Sequence, residues 1–237
     1  MATKKEHKFV EAETNKSVSK SKIKEAKPVG NAKPKRILAV VFWLIAIIFE
    51  IVAVLVLFGK INITAIPTLY ALIGALVLDL VFLVIGSQFW KKANHIDPVS
   101  EANKTKFWLW NNMGLIVGCF AFIPLIVLLL TNKDLDKKTK TIATIAAVIA
   151  LLIGGVSSYD FNPVSSEQKD IAMQTLGSTK VYWAPFGKVY HTHEDCGYLN
   201  QTDTLTFGTV EQAIAEGRTK LCSYCAKKDG ITAVATD

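Results

Sequence analysis

Four side chains near the carboxyl end have the types and spacing of a metal site: His191, Cys196, Cys222 and Cys225. They read H-x4-C, then 25 intervening residues, then C-x2-C. Two close-spaced pairs joined by a small folded insert suit a closed tetrahedral zinc site. Each tight turn supplies neighbouring ligands, and the insert folds back to bring the pairs together. Thiolates and imidazole suit zinc better than magnesium or calcium. His193, at H-x2-C, is a rival nitrogen donor. Residues 191 and 193 fall on one strand face, so periodicity does not separate them. Disulfide pairing would leave one of the three cysteines over, and C-x2-C lacks the βαβ setting of a redox motif. An iron–sulfur cluster is the remaining alternative. The expectation is one structural zinc per chain.

The elements that hold these residues are short. Ser165-x-x-Gln168 and Gly177 bound a linker helix within 161–180. Two β-rich runs flank Pro185-Phe186-Gly187, which predicts a hairpin. Thr209-x-x-Gln212 and Gly217 bound one more helix before LCSYC. Residues 181–228 are the metal-binding module of this reading, and 229–237 a flexible C-terminus. So small a domain has a thin core, to whose folding a bound metal adds free energy.

The rest of the chain is different in kind. Among 237 residues, 51% are hydrophobic and 20% charged, with 27 Lys+Arg against 20 Asp+Glu. Mean hydropathy is +0.31. Positive hydropathy with that many charges means that the two are segregated, as in a membrane protein with polar appendages. The composition excludes a disordered chain, a collagen-like repeat and a disulfide-dense scaffold. Residues 1–36 hold eleven Lys+Arg and four Glu, so the whole net charge of +7 sits there. This tail has no apolar stripe and reads as disordered, in contact with anionic headgroups rather than with nucleic acid.

Four apolar runs follow, at 37–59, 63–87, 107–130 and 141–158. Each is near or above the roughly 20 residues that cross the hydrocarbon core, and backbone groups in lipid are satisfied only as helices. The first run is too long, and too far from the start, for a cleaved signal peptide. The fold class expected is an all-α transmembrane four-helix bundle over 37–160 with a small α+β zinc-binding C-terminal domain. The N-terminal side carries fifteen basic residues in the tail and 91–106, against five on the other side. That bias places both termini in the cytoplasm of a bacterial plasma membrane. Pro124 should bend the third span, Trp90, Trp108 and Trp110 should form an interfacial belt, and Gly114-x-x-x-Gly118 permits close helix approach.

Glu50 and Asp79 are the two acids inside the runs, and no Lys, Arg or His in any run pairs with them. They are either an intramembrane cation or proton path or polar glue between helices, hydrogen-bonded to groups such as Asn111 or Asn112. Cys119 reads as a small buried apolar residue, and His7 and His95 as solvated. The chain has no P-loop, G-x-S-x-G, H-E-x-x-H or dinucleotide fingerprint, and it is read as a non-enzyme.

The stretch VYWAPFGKVYHTHEDCGYLN…GTVEQAIAEGRTKLCSYC resembles a small metal-binding module at the end of many bacterial multi-pass membrane proteins. Their pattern is V-Y-W-x-x-x-G-K-x-Y-H-x4-C, then G-T-x-E-E-A, then L-C-x2-C. It is also similar to the metal-binding domain of the Ada DNA-repair protein, where four cysteines hold zinc. The resemblance covers Val181–Cys225 and implies His191, rather than His193, as the nitrogen ligand with Cys196, Cys222 and Cys225. A histidine stands where Ada has a cysteine, so methyl transfer does not follow. SYDFNPVSSEQ after the fourth run is similar to the same membrane proteins. The function expected is a membrane protein whose zinc module serves folding or docking of a cytoplasmic partner. A small transporter using the intramembrane carboxylates and a redox or metal sensor are the alternatives.

Overall fold

The computed structural model describes residues 8–10, 17–18, 28–61, 66–177, 179–200, 202 and 204–236. The chain divides into two compact units. One comprises 33–91 and 108–160; the other comprises 92–107 and 161–237 with the residues up to 32.

The first unit is helical. α1 (Ala32–Leu57), α2 (Thr68–Ile96), α4 (Met113–Thr131) and α5 (Lys137–Ser158) are each long and apolar enough to cross a membrane. Their outward faces carry exposed Ile48, Val77, Phe120 and Leu152, which water would penalise and lipid tails accept. The second run therefore begins five residues later than its hydropathy suggests. Pro67 precedes α2 and its carbonyl accepts from Tyr70 N at 2.9 Å, so the helix starts where a proline is tolerated. The connection that follows α1 runs into residues outside those described.

The third run is also divided. A short α3 (Lys104–Asn111) precedes α4, and Asn112 between them has φ −108 and ψ 23. Its Nδ2 donates to Trp108 O at 3.0 Å and its Oδ1 accepts from Asp160 N at 3.3 Å. Asn112 thus satisfies local backbone and helix-end groups rather than the Asp79 carboxyl. α5 begins at the N-cap Asp136, which accepts from Thr139 N at 3.0 Å.

Phe42 stacks on Phe89 at 5.6 Å and Phe49 on Phe82 at 5.5 Å between centroids, which sets α1 antiparallel against α2. Trp90 is buried between Trp43 and Trp110 and donates its indole N–H to Trp110 O at 2.7 Å. It is a core residue rather than part of a lipid-facing belt, because that carbonyl satisfies its N–H. A Cβ at Gly114 would lie 2.7 Å from the Ser87 Cβ, so the small residue there does permit close approach of α4 to α2.

The second unit holds the C-terminal domain. α6 (Ser166–Leu176) opens with a complete capping box between Ser165 and Gln168 and closes on Gly177 at φ 49. β3 (Val181–Trp183) pairs antiparallel with β5 (Thr204–Gly208), whereas β4 (Val189–Tyr190) pairs parallel with β6 (Lys220–Leu221). The expected hairpin around Pro185 is reduced to one bridge, Tyr182 to His191, with two backbone bonds of 2.8 Å. α7 (Val210–Ala215) carries the second capping box, Thr209 with Gln212, and α8 (Ser223–Asp229) follows Cys222. Trp183, Tyr190, Leu199, Leu205, Ile214 and Leu221 fill the core.

The domain does not end at 228. Leu221 N donates to Ala235 O at 2.9 Å and Val234 is buried, so the expected flexible end is paired to β6 instead. In the basic tail the described residues include β1 (Lys8–Val10) and β2 (Ser17–Val18). They pair antiparallel with each other, and β1 pairs parallel with β5. The expectation of disorder otherwise falls on residues outside those described.

The connection between α2 and α3 packs within this unit. Ser166 N donates to Val99 O at 3.2 Å, Glu101 N to Glu167 Oε2 at 3.1 Å, and Lys169 Nζ to Ile96 O at 2.7 Å. Ser100 Oγ also donates to Glu167 Oε1. His95 is half-buried beside Gly217, where a Cβ would meet its ring at 3.4 Å, rather than solvated.

Candidate metal centre

The parallel pairing of β4 with β6 sets Tyr190 beside Leu221. The next residue of each strand, His191 and Cys222, therefore leaves the sheet at one edge. Cys222 N donates to Tyr190 O at 2.9 Å and locks the two exits together. Each cysteine pair member then sits at a helix start. Cys196 precedes the one-turn 3-10 helix Gly197–Leu199, and Cys222 is the N-cap of α8, which carries Cys225 in its first turn. Helix starts present backbone N–H groups that nothing within the helix accepts, and these favour a thiolate.

The result is convergence. One ligand atom from each of His191, Cys196, Cys222 and Cys225 lies within 4.8 Å of the others, and all four residues are buried. His191 Nδ1 is 3.8 Å from Cys225 Sγ. Bonds of about 2.3 Å to sulfur and 2.0–2.1 Å to nitrogen give a tetrahedron with edges of about 3.5–3.8 Å, so an adjustment of about 1 Å at most would seat one ion. The donor set and its spacing fit a single tetrahedral metal.

Burial pushes the Cys196 thiol up to about 12, although the Tyr198 backbone N–H pulls the other way. Burial also raises Cys222, opposed by the backbone N–H groups of Cys225 and Tyr224. Desolvation thus favours the protonated Cys196 and Cys222 thiols until a cation replaces the protons.

His193 is placed elsewhere. Its Nε2 is 2.6 Å from Asp229 Oδ1, and its side chain is 31% exposed, against 3% exposure for His191. Asp229 Oδ2 also accepts from Thr192 Oγ1 at 2.5 Å. Asp229 thereby braces the loop between the first two candidate ligands, a role that sequence reading missed. The available signal was its position one turn beyond Cys225 on α8.

Glu50, Asp79 and Cys119 belong to the helical unit. Asp79 is fully buried in α2 and Glu50 is half-buried in α1. Cys119 is an unbridged thiol of intermediate burial in α4.

No family model matches the chain. Over 108 residues it is 27% identical to the methylamine utilization ferredoxin-type protein MauN of Methylorubrum extorquens, a match covering 45% of this chain and 32% of that protein. The chain thus spans about a third of the length of that relative. No solved structure matches.

Proposed function

We propose that the protein is an integral membrane protein whose extramembrane module folds around one zinc ion held by His191, Cys196, Cys222 and Cys225. The observation that carries this reading is the meeting of four buried donor atoms within 4.8 Å. Four protein ligands complete a tetrahedral shell, leaving no position for water or substrate, which supports a structural rather than catalytic site. The ferredoxin-type name of MauN raises an iron–sulfur cluster as the rival. Such clusters interpose several irons and bridging sulfides between their cysteines, spreading opposed ligands wider than one ion does. The compact donor set favours zinc, as does the sequence resemblance to modules of the Ada type.

The topology is proposed with it. The 97–103 connection and α6 pack together, so both belong on one membrane face, as they do with four spans. The basic tail makes that face the cytoplasm of a bacterial plasma membrane. A reducing compartment keeps the three thiols available to metal.

The test is elemental analysis of the full-length protein in detergent. One zinc per chain, no acid-labile sulfide and a colourless sample are expected. Chelation should lower the unfolding midpoint of the module. Iron with labile sulfide, or a metal-free protein with an unchanged midpoint, would overturn the reading.

A further inference from the structure

Asp79 is the most unfavourably placed polar side chain of the membrane-crossing helices. It is 0% exposed, and neither carboxyl oxygen has a hydrogen-bond partner among the described residues. Its depth follows from the packing. A Cβ at Gly86 would meet Trp43, which puts these two residues at one level of α2 and α1. Seven residues further into each helix, about 10 Å at 1.5 Å per residue, stand Asp79 and Glu50. The two carboxyls therefore share a depth on antiparallel neighbours.

Among the described residues of the four membrane-crossing helices, nothing of opposite charge faces them. α1 carries no other charged residue between Ile37 and Leu57. α2 carries none from Thr68 until Lys91, about 18 Å beyond Asp79. α4 has none from Met113 to Thr131, and α5 none from Thr141 to Ser158. The surroundings are apolar. Leu76 and Leu83 lie one turn to either side on the same face of α2. Gly118 packs on Leu83, so Phe122, one turn on in antiparallel α4, comes level with Asp79.

Polar glue between helices works through hydrogen bonds, and Asp79 makes none. A metal cation needs several oxygens, and among the described residues only two carboxyls share this depth. An unpaired carboxylate in such a medium takes up a proton instead. We infer that Asp79 is an intramembrane proton-binding site, with half-buried Glu50 as its relay. In the transfer, the Glu50 carboxyl gives its proton to the Asp79 carboxylate, and the Glu50 carboxylate regains one from water. This site is separate from the zinc module and does not rest on it.

The test uses dicyclohexylcarbodiimide, a membrane-soluble reagent, on the full-length protein in liposomes. The O–H of a neutral carboxylic acid adds across its C=N bond, and the product isomerises to a stable N-acylurea. One adduct per chain on Asp79 is expected, falling at least about tenfold as alkaline buffer removes the proton. Asp79→Asn should abolish it. Glu50→Gln should keep it but move the pH at which labelling is lost. Stripping zinc with chelator should leave the labelling unchanged, so failure of this site and failure of the zinc reading are distinguishable. Absence of an Asp79 adduct, labelling that ignores pH, or protection by sodium at constant pH would overturn the inference.

Discussion

Replacing the two module histidines one at a time separates ligand from bystander. His191 is 3% exposed with Nδ1 at 3.8 Å from Cys225 Sγ, whereas His193 is a partly exposed partner of Asp229 at 2.6 Å. A structural zinc contributes about 10–16 kcal/mol of apparent binding free energy in small domains. Divided over four ligands, that is about 2.5–4 kcal/mol each, or roughly 10² to 10³ in affinity. His191→Ala should therefore weaken zinc binding by about two to three powers of ten. His193→Ala removes one partly exposed contact with Asp229, worth about 0–1 kcal/mol, so its effect should stay within about fivefold. The assay is competition for zinc against a chromophoric chelator, with full-length protein in detergent. His191→Cys supplies the control for misfolding, since a thiolate restores a fourth ligand and should hold one zinc per chain. Equal losses from the two alanine variants, or a His191→Cys protein that binds no metal, would refute the assignment.

Three other outcomes are expected. Cys196, Cys222 and Cys225 should resist alkylation in the folded protein and react after chelation; rapid labelling of the native protein would instead favour a sensor. The Ser100 hydroxyl and nearby backbone N–H groups hold the Glu167 carboxyl at about 2, below its ordinary 4.5. A depressed value means that the Glu167 contribution is present above about 4.5 and lost as pH falls towards 2. Urea midpoints of the extramembrane unit should show this acid loss in the wild type and not in Glu167→Gln. Gly114→Leu should destabilise the helical unit by about 1–3 kcal/mol, read as a lower unfolding midpoint in detergent, because even a Cβ there lies 2.7 Å from the Ser87 Cβ.

The membrane-crossing character of four segments was legible from composition, because lipid accepts only long apolar stretches whose backbone bonds are internal. The donor types of the metal centre were legible for a similar reason: sulfur and imidazole at turn-compatible spacing have few other uses. The capping boxes of the linker helix and of α7 were legible, since each is a contact between residues three apart. Features set by residues distant in sequence were not. Two histidines on one strand face look equivalent until the parallel β4–β6 pairing carries His191 inward and Asp229 holds His193 outside. Trp90 and Asn112 look like interfacial or gluing residues until the packing supplies Trp110 O, Trp108 O and Asp160 N as partners. The end of the chain looks free until Leu221 pairs with it. The isolation of Asp79 likewise belongs to the tertiary structure, since whether a buried carboxyl has a partner depends on what the neighbouring helices bring to its depth.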